Sequence, residues 1–141
     1  MNITIQQARA IIAGSLAHGS ANGYRPLCVA VLDAGGNLVA FEREDGVANR
    51  RFDVAHGKAY GAISLGVNSR TLENMAIERP HFVIGATAAI GTLIAVPGGV
   101  IIRDGVHGIV GAVGVSGDTA DNDEAAAIAG IAAAGLTPSD R

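Results

Sequence analysis

The stretch from Pro97 to Gly117 constrains the fold more than any other part of the sequence. Pro97-Gly98-Gly99 and Asp104-Gly105 are typical of turns, and Val100–Arg103 and Ile109–Val115 are typical of strands. Glycines at positions 108, 111 and 114 leave the second strand with little side chain, and a helix can pack closely against such a surface. The pattern therefore predicts a hairpin whose second strand lies at the centre of a sheet.

The remaining elements continue this pattern in both directions. Thr4 and Gln7 form a capping-box motif for a first helix that Asn22-Gly23 ends. The other predicted elements are strands at 27–32, 38–41 and 93–96 and helices at 51–65, 69–77 and 120–134, while 81–89 is open between a short helix and a loop. Hairpins near both ends favour an antiparallel sheet of five strands, so the predicted fold class is α+β.

The composition fits one domain over residues 1–141 with an aliphatic core. Hydrophobic residues make up 49% of the chain but aromatic residues only 4%, so the core must be built from Ala, Val, Ile and Leu. The formal net charge is −3 and Arg50-Arg51 is the only adjacent basic pair, which excludes a nucleic-acid footprint.

The pattern of apolar residues also bears on location. We expect neither a signal peptide nor a membrane span, because no apolar run is long enough, and we therefore expect a cytoplasmic protein without a membrane partner. Cys28 is the single cysteine and lies in an apolar run, which predicts a buried thiol.

Acid–base chemistry has one main candidate among the four histidines. His56 lies in a predicted helix beside Gly57, and a mid-helix glycine is often kept for close approach by a backbone or a ligand. A partly buried structural histidine explains the same pattern. Lys58, with Glu44 or Asp45, completes the groups able to do acid–base work. His18 and His107 are interpreted as solvent-exposed, and His81 as a cap or a pocket residue.

Two glycine-containing turns are candidates for holding an anion. Ser116-Gly117 ends a predicted strand and precedes a helix, so its backbone N–H groups can hold a carboxylate, although an ordinary turn explains the same residues. Gly98-Gly99 is the second such turn, and Arg51, near the start of a helix, is a candidate for binding an acidic ligand or simply faces water.

Three segments carry a resemblance to a known family. Val31–Val39 resembles its first hairpin, Lys58-Ala59 followed by Ala62 resembles its helix motif K-A-x-T-A with Tyr60-Gly61 in place of the usual pair, and Gly98–Gly117 resembles its glycine-rich signature. On these segments the chain resembles the GlcG/HbpS family, also called the haem-degrading or PduO C-terminal-like domain, from Val29 to Ala133.

The resemblance implies a profilin-like α-β-α sandwich, homo-oligomers and, in some members, binding of haem or a corrinoid-related ligand. Haem needs an axial ligand, and His56 is the candidate metal ligand here. Family members commonly carry a polar or acidic residue at this position, so the resemblance does not assign that role to His56.

Three functional hypotheses of different classes follow. The first is a non-catalytic haem or small-ligand binding protein that acts as a homo-oligomer, with pockets near subunit contacts. The second is an enzyme that acts on a small carboxylated metabolite with His56 as general base. The third is a structural or chaperone-like accessory subunit.

Overall fold

The protein is described by a computed structural model that covers residues 2–105 and 108–141. The bounds of the first two helices agree with the prediction. Thr4 accepts a hydrogen bond from the Gln7 amide in a complete capping box, and Gly66 ends the second helix in the left-handed conformation at φ 77°. The elements are α1 (Ile5–Ala21), β1 (Cys28–Asp33), β2 (Leu38–Arg43), α2 (Arg51–Leu65), α3 (Ser69–Glu78), α4 (Pro80–Ile90), β3 (Gly99–Asp104), β4 (Gly108–Ser116), α5 (Ala120–Ala133) and β5 (Thr137–Pro138).

The strands form one five-stranded antiparallel sheet in the order β2-β1-β4-β3-β5. The glycine-rich strand β4 is central, as the sequence predicts. Helices cover both faces, which gives the α-β-α sandwich of profilin-like proteins and confirms the predicted α+β class.

The two faces of the sheet are packed differently. Val29 and Val31 of β1 point into the larger core, which α1 and α5 cover. Cys28, Ala30 and Leu32 point to the opposite face, where α2 packs. Side chains on this second face are small, so α2 lies very close to the sheet.

Glycines make this close approach possible. A Cβ on Gly114 would overlap the Ala55 carbonyl of α2, and a Cβ on Gly99 would overlap the Lys58 carbonyl. The prediction that β4 allows a helix to pack closely is therefore confirmed, and α2 contacts the backbone of β3 and β4 directly at Lys58 and Ala55.

The segment Leu93–Val96 corrects one prediction, because it is not a strand. Its residues instead cover α2: Ile94 donates a backbone hydrogen bond to the Gly57 carbonyl at 3.2 Å, and Leu93 packs over Gly61. The edge of β3 is taken by β5, where Thr137 pairs with Arg103. The fifth strand therefore comes from the C-terminal segment, which carries no strand pattern.

Two helix predictions are refined by the structure. Asn68, not Ser69, occupies the cap position of α3, and the ambiguous stretch after Arg79 is helix α4 with Pro80 in its first turn. The predicted loop position of His107 lies outside the described residues. No helix in the described part of the chain is long and apolar enough to cross a membrane.

Candidate functional site

Four aromatic rings lie side by side on one flank of α2, and we call Phe41, Phe52, His56 and Tyr60 the aromatic row. The three α2 members are spaced by four residues, which places them on one side of the helix. The His56 ring lies 5.6 Å from the Phe52 ring and 5.7 Å from the Tyr60 ring, nearly parallel to the latter, and Phe41 of β2 meets Phe52 edge-on at 4.7 Å. All four residues are half-buried.

The imidazole of His56 lies between the rings of Phe52 and Tyr60. No side chain or backbone group among the described residues forms a hydrogen bond with its ring nitrogens, whereas the hydroxyl of Tyr60 donates to the Ile90 carbonyl at 3.0 Å. Stacking fixes the orientation of His56 while both nitrogens keep their bonding capacity. A neutral imidazole in this state can ligate a metal.

The side chain of Lys58 points away from His56, toward the C-terminal end of β4. Its ammonium donates to the Val115 carbonyl and to the Asp123 carboxylate of α5, each at 3.0 Å, and both charged side chains are buried. Burial raises the pKa of Asp123 above its ordinary value, and Lys58 counters that effect. The helix therefore does not bring His56 and Lys58 together for a shared reaction.

A small cavity opens at the end of the sheet beside the start of α2. Its volume is about 230 Å³. We call it the sheet-end cavity; its lining residues are Arg25, Pro26, Gly46, Val47, Ala48, Arg51 and Gly117. Arg51 donates to the Ser116 hydroxyl at 3.3 Å. The structure thus brings together Arg51, Ser116 and Gly117, three of the residues predicted to bind a ligand.

Gly98 and Gly99 lie elsewhere and have structural partners. The Gly99 amide donates to the Ser69 hydroxyl at 2.8 Å, and a Cβ on Gly98 would meet the Lys58 ammonium at 2.8 Å. Because Gly98 has no side chain, it leaves room for the buried ion pair of Lys58 and Asp123. The Gly99 amide already donates its hydrogen bond to Ser69.

The polar groups near the cavity are mostly in structural roles. The Glu44 carboxylate accepts from the Leu27 amide at 2.8 Å. Burial raises the pKa of the Cys28 thiol to about 11, which confirms the predicted buried thiol and keeps it protonated at neutral pH.

Two further described histidines do not line the cavity. His18, predicted to be solvated, is half-buried on α1 and lies 3.3 Å from the Tyr24 hydroxyl. His81 is exposed on α4.

Two features of the site were not recognised in the sequence. The aromatic row is visible as Phe52, His56 and Tyr60 at a spacing of four, but the low aromatic content hides its significance. Arg25 reaches the cavity only because β1 and the start of α2 meet there, so no local pattern marks it. Among the described residues no group of three or more His, Cys, Asp or Glu side chains forms a metal cluster.

The family model and two solved structures all relate this chain to HbpS-like proteins. The family model for "Haem degrading protein HbpS-like" matches residues 3–132. The crystal structure of HbpS has 26% sequence identity and a TM-score of 0.82, over 94% of this chain and 89% of that one. A double mutant of HbpS from Streptomyces reticuli gives 26% identity and 0.81, over 94% and 86%.

The similarity to a third structure supports the fold only, because the sequence identity is low. The PduOC:heme complex has 20% identity and a TM-score of 0.83, over 96% of this chain and 97% of that one. No curated protein sequence matches this chain significantly.

Proposed function

Because the chain belongs to the HbpS-like family of haem-degrading proteins, we propose that it binds haem or another small ligand and does so as a homo-oligomer. The PduOC structure with bound heme, which shares this fold, supports the ligand class. The observation that carries the proposal for this chain is the aromatic row, in which His56 is oriented and unbonded.

The residues present fit a haem in two respects. A porphyrin needs apolar contacts, and Phe41, Phe52 and Tyr60 supply them although the chain has few aromatic residues. His56 would hold the iron, because it offers a ring nitrogen that no described residue engages in a hydrogen bond. When bound, haem would supply iron chemistry; the chain would contribute the ligand and the apolar contacts.

The homo-oligomer is part of the same proposal. The aromatic row is a half-exposed surface on one protomer, and a second copy covering it would complete an enclosed site. Helix α4 supports self-association, because none of its described residues is buried and its Ile84 is 71% exposed. Ile77 of α3 is 74% exposed.

Hemin titration of the purified protein tests the haem proposal. We expect a saturable shift of the Soret band in wild type and a weakened, spectrally different complex in His56→Ala, because the axial ligand is lost. His18→Ala is the matched control, since it removes an imidazole from α1 on the opposite face of the sheet. Absence of a shift in wild type, or identical spectra for wild type and His56→Ala, would refute the role of His56.

The enzyme hypothesis receives no support from the geometry, because Lys58 is committed to Asp123 on the far side of α2 from the aromatic row. The catalytic roles of His56 and Lys58, the Gly98-Gly99 anion site and the cytoplasmic location remain predictions from the sequence.

A further inference from the structure

We infer that the sheet-end cavity is a second binding site, separate from the aromatic row, which takes a small aliphatic carboxylate. The inference goes beyond haem binding and does not depend on it. It rests on the charge of the cavity wall, the backbone at the start of α2, and the size and apolar character of the remaining lining.

The charge of the wall favours an anion. Among the described residues, the Arg51 guanidinium has a hydroxyl, that of Ser116, as its hydrogen-bond partner and no carboxylate within 4.0 Å. Arg25 shares its charge with Asp118 at 3.5 Å, yet its side chain is 70% exposed. Because only Arg25 of the two has a carboxylate partner in the described part of the chain, the Arg51 guanidinium leaves positive charge at the cavity. A guanidinium can bind a carboxylate through two parallel hydrogen bonds.

The backbone of α2 adds to this charge. The helix starts at Arg51, and its N-cap residue Arg50 makes no side-chain capping hydrogen bond. Arg51, the first residue of the helix, lines the cavity, and Ala48 of the preceding turn lines it as well. The amides of Arg51 and Asp53 donate to the Ala48 and Arg50 carbonyls, and the Asp53 carboxylate lies 3.9 Å from the Arg50 guanidinium. The contribution of this helix end to anion binding is therefore the positive end of its dipole, not a set of free N–H groups.

The apolar part of the lining defines the rest of the ligand. Pro26, Val47 and Ala48 form an apolar wall, which suits a short hydrocarbon portion. A Cβ on Gly117, whose φ is 149°, would overlap the Pro26 carbonyl, so glycine is needed to close the floor. The volume of about 230 Å³ is below the range of roughly 300–1,000 Å³ for pockets of drug-sized ligands. A carboxylate of a few carbons fits these limits, and a porphyrin does not.

Titration of the ¹⁵N-labelled full chain with butyrate, followed by amide chemical shifts, tests this site. We expect saturable shifts centred on Gly46, Val47, Ala48 and Gly117. Arg51→Gln should weaken binding by about tenfold or more, because one charge-assisted contact is lost. Arg9→Gln, which removes the same charge from the exposed face of α1, is the matched control and should bind like wild type.

Further probes separate the sources of binding. Butyramide has the same size without the charge, and inorganic phosphate has the charge without the hydrocarbon; both should bind more weakly than butyrate. Ala48→Phe, at an exposed position, should fill the cavity and abolish the shifts while the rest of the spectrum stays folded. His56→Ala should bind butyrate normally, so failure of the haem proposal and failure of this one are distinguishable.

Three results would overturn the inference. The first is an absence of saturable shifts with butyrate. The second is equal affinity of Arg51→Gln and Arg9→Gln. The third is phosphate binding that matches butyrate, which would indicate general anion attraction rather than a carboxylate site.

Discussion

The buried ion pair of Lys58 and Asp123 joins three elements at the residue scale. Lys58 extends from α2, contacts the Val115 carbonyl of β4, and meets Asp123 of α5, whose other oxygen accepts from the Asp118 amide at 2.9 Å. Burying two charges costs free energy, and these hydrogen bonds offset part of that cost. Removing one partner leaves the other charge buried alone.

We expect Lys58→Met to destabilise the fold by about 3–5 kcal/mol at neutral pH. Burial already raises the pKa of Asp123 from its ordinary value of 3.8, and loss of Lys58 raises it further. A carboxyl with a raised pKa binds protons more tightly in the folded state, so stability falls as pH rises above about 4. Urea denaturation at pH 4.5 and pH 7 should therefore show a larger loss at pH 7.

The matched control for this prediction is the double variant Lys58→Met, Asp123→Asn. Asparagine keeps the oxygen that accepts from Asp118 but carries no charge, so the double variant should recover stability and lose the pH dependence. An unchanged pH dependence in the double variant would show that Asp123 is not its source.

Lys58 also shows what the sequence does not reveal about the site. Its helix position was predicted correctly, but its carboxylate partner lies on another element far along the chain, so burial and pairing could not be read from the segment around it. Arg25 and Arg51 converge for the same reason, through tertiary structure alone. Phe52, His56 and Tyr60 are different, because their spacing alone places them on one helix face.

At the scale of elements, the contact between α2 and β4 sets the geometry of both sites. Gly114 lies directly under the Ala55 carbonyl, and a methyl group there would force the helix away from the sheet. The aromatic row and the start of α2 would move with it. This contact is therefore the structural basis on which both proposed sites depend.

We expect Gly114→Ala to cost about 1–3 kcal/mol or more, because the packed backbone cannot yield without moving α2. Gly108→Ala is the control in the same strand, where the nearest atom to a new Cβ is the Asp104 carbonyl oxygen at 3.9 Å. Thermal unfolding should show a clear loss for the first variant and little change for the second. Equal melting temperatures would contradict the close contact.

Elements with local signals were predicted well, and those defined by tertiary contacts were not. The capping box at Thr4 and the Asn22-Gly23 stop signal mark the two ends of α1 through short-range chemistry. Leu93–Val96 has the apolar pattern of a strand, yet that pattern is explained by packing over Gly57 and Gly61. Thr137–Pro138 has no strand pattern, because its pairing depends only on the free edge of β3.

At the scale of the whole molecule, exposed apolar surface is concentrated on α3 and α4. We expect Ile84→Glu to reduce the molar mass measured by light scattering after size-exclusion chromatography, because a charge would be buried between copies. Ile128→Glu is the control, since Ile128 is 41% exposed on α5, away from α4. A monomeric wild type, or an Ile84→Glu variant of unchanged mass, would contradict self-association through this surface.

The pairing of β1 with β4 has a consequence for how the chain folds. Cys28 near the start of the chain pairs with Ser116 near its end, and α1 packs on α5. During translation β1 therefore has no partner on this side until β4 leaves the ribosome, and its apolar residues stay uncovered until then. Such long-range pairing raises the contact order of the fold, which slows folding and lengthens the time during which the unpaired strand is exposed to aggregation.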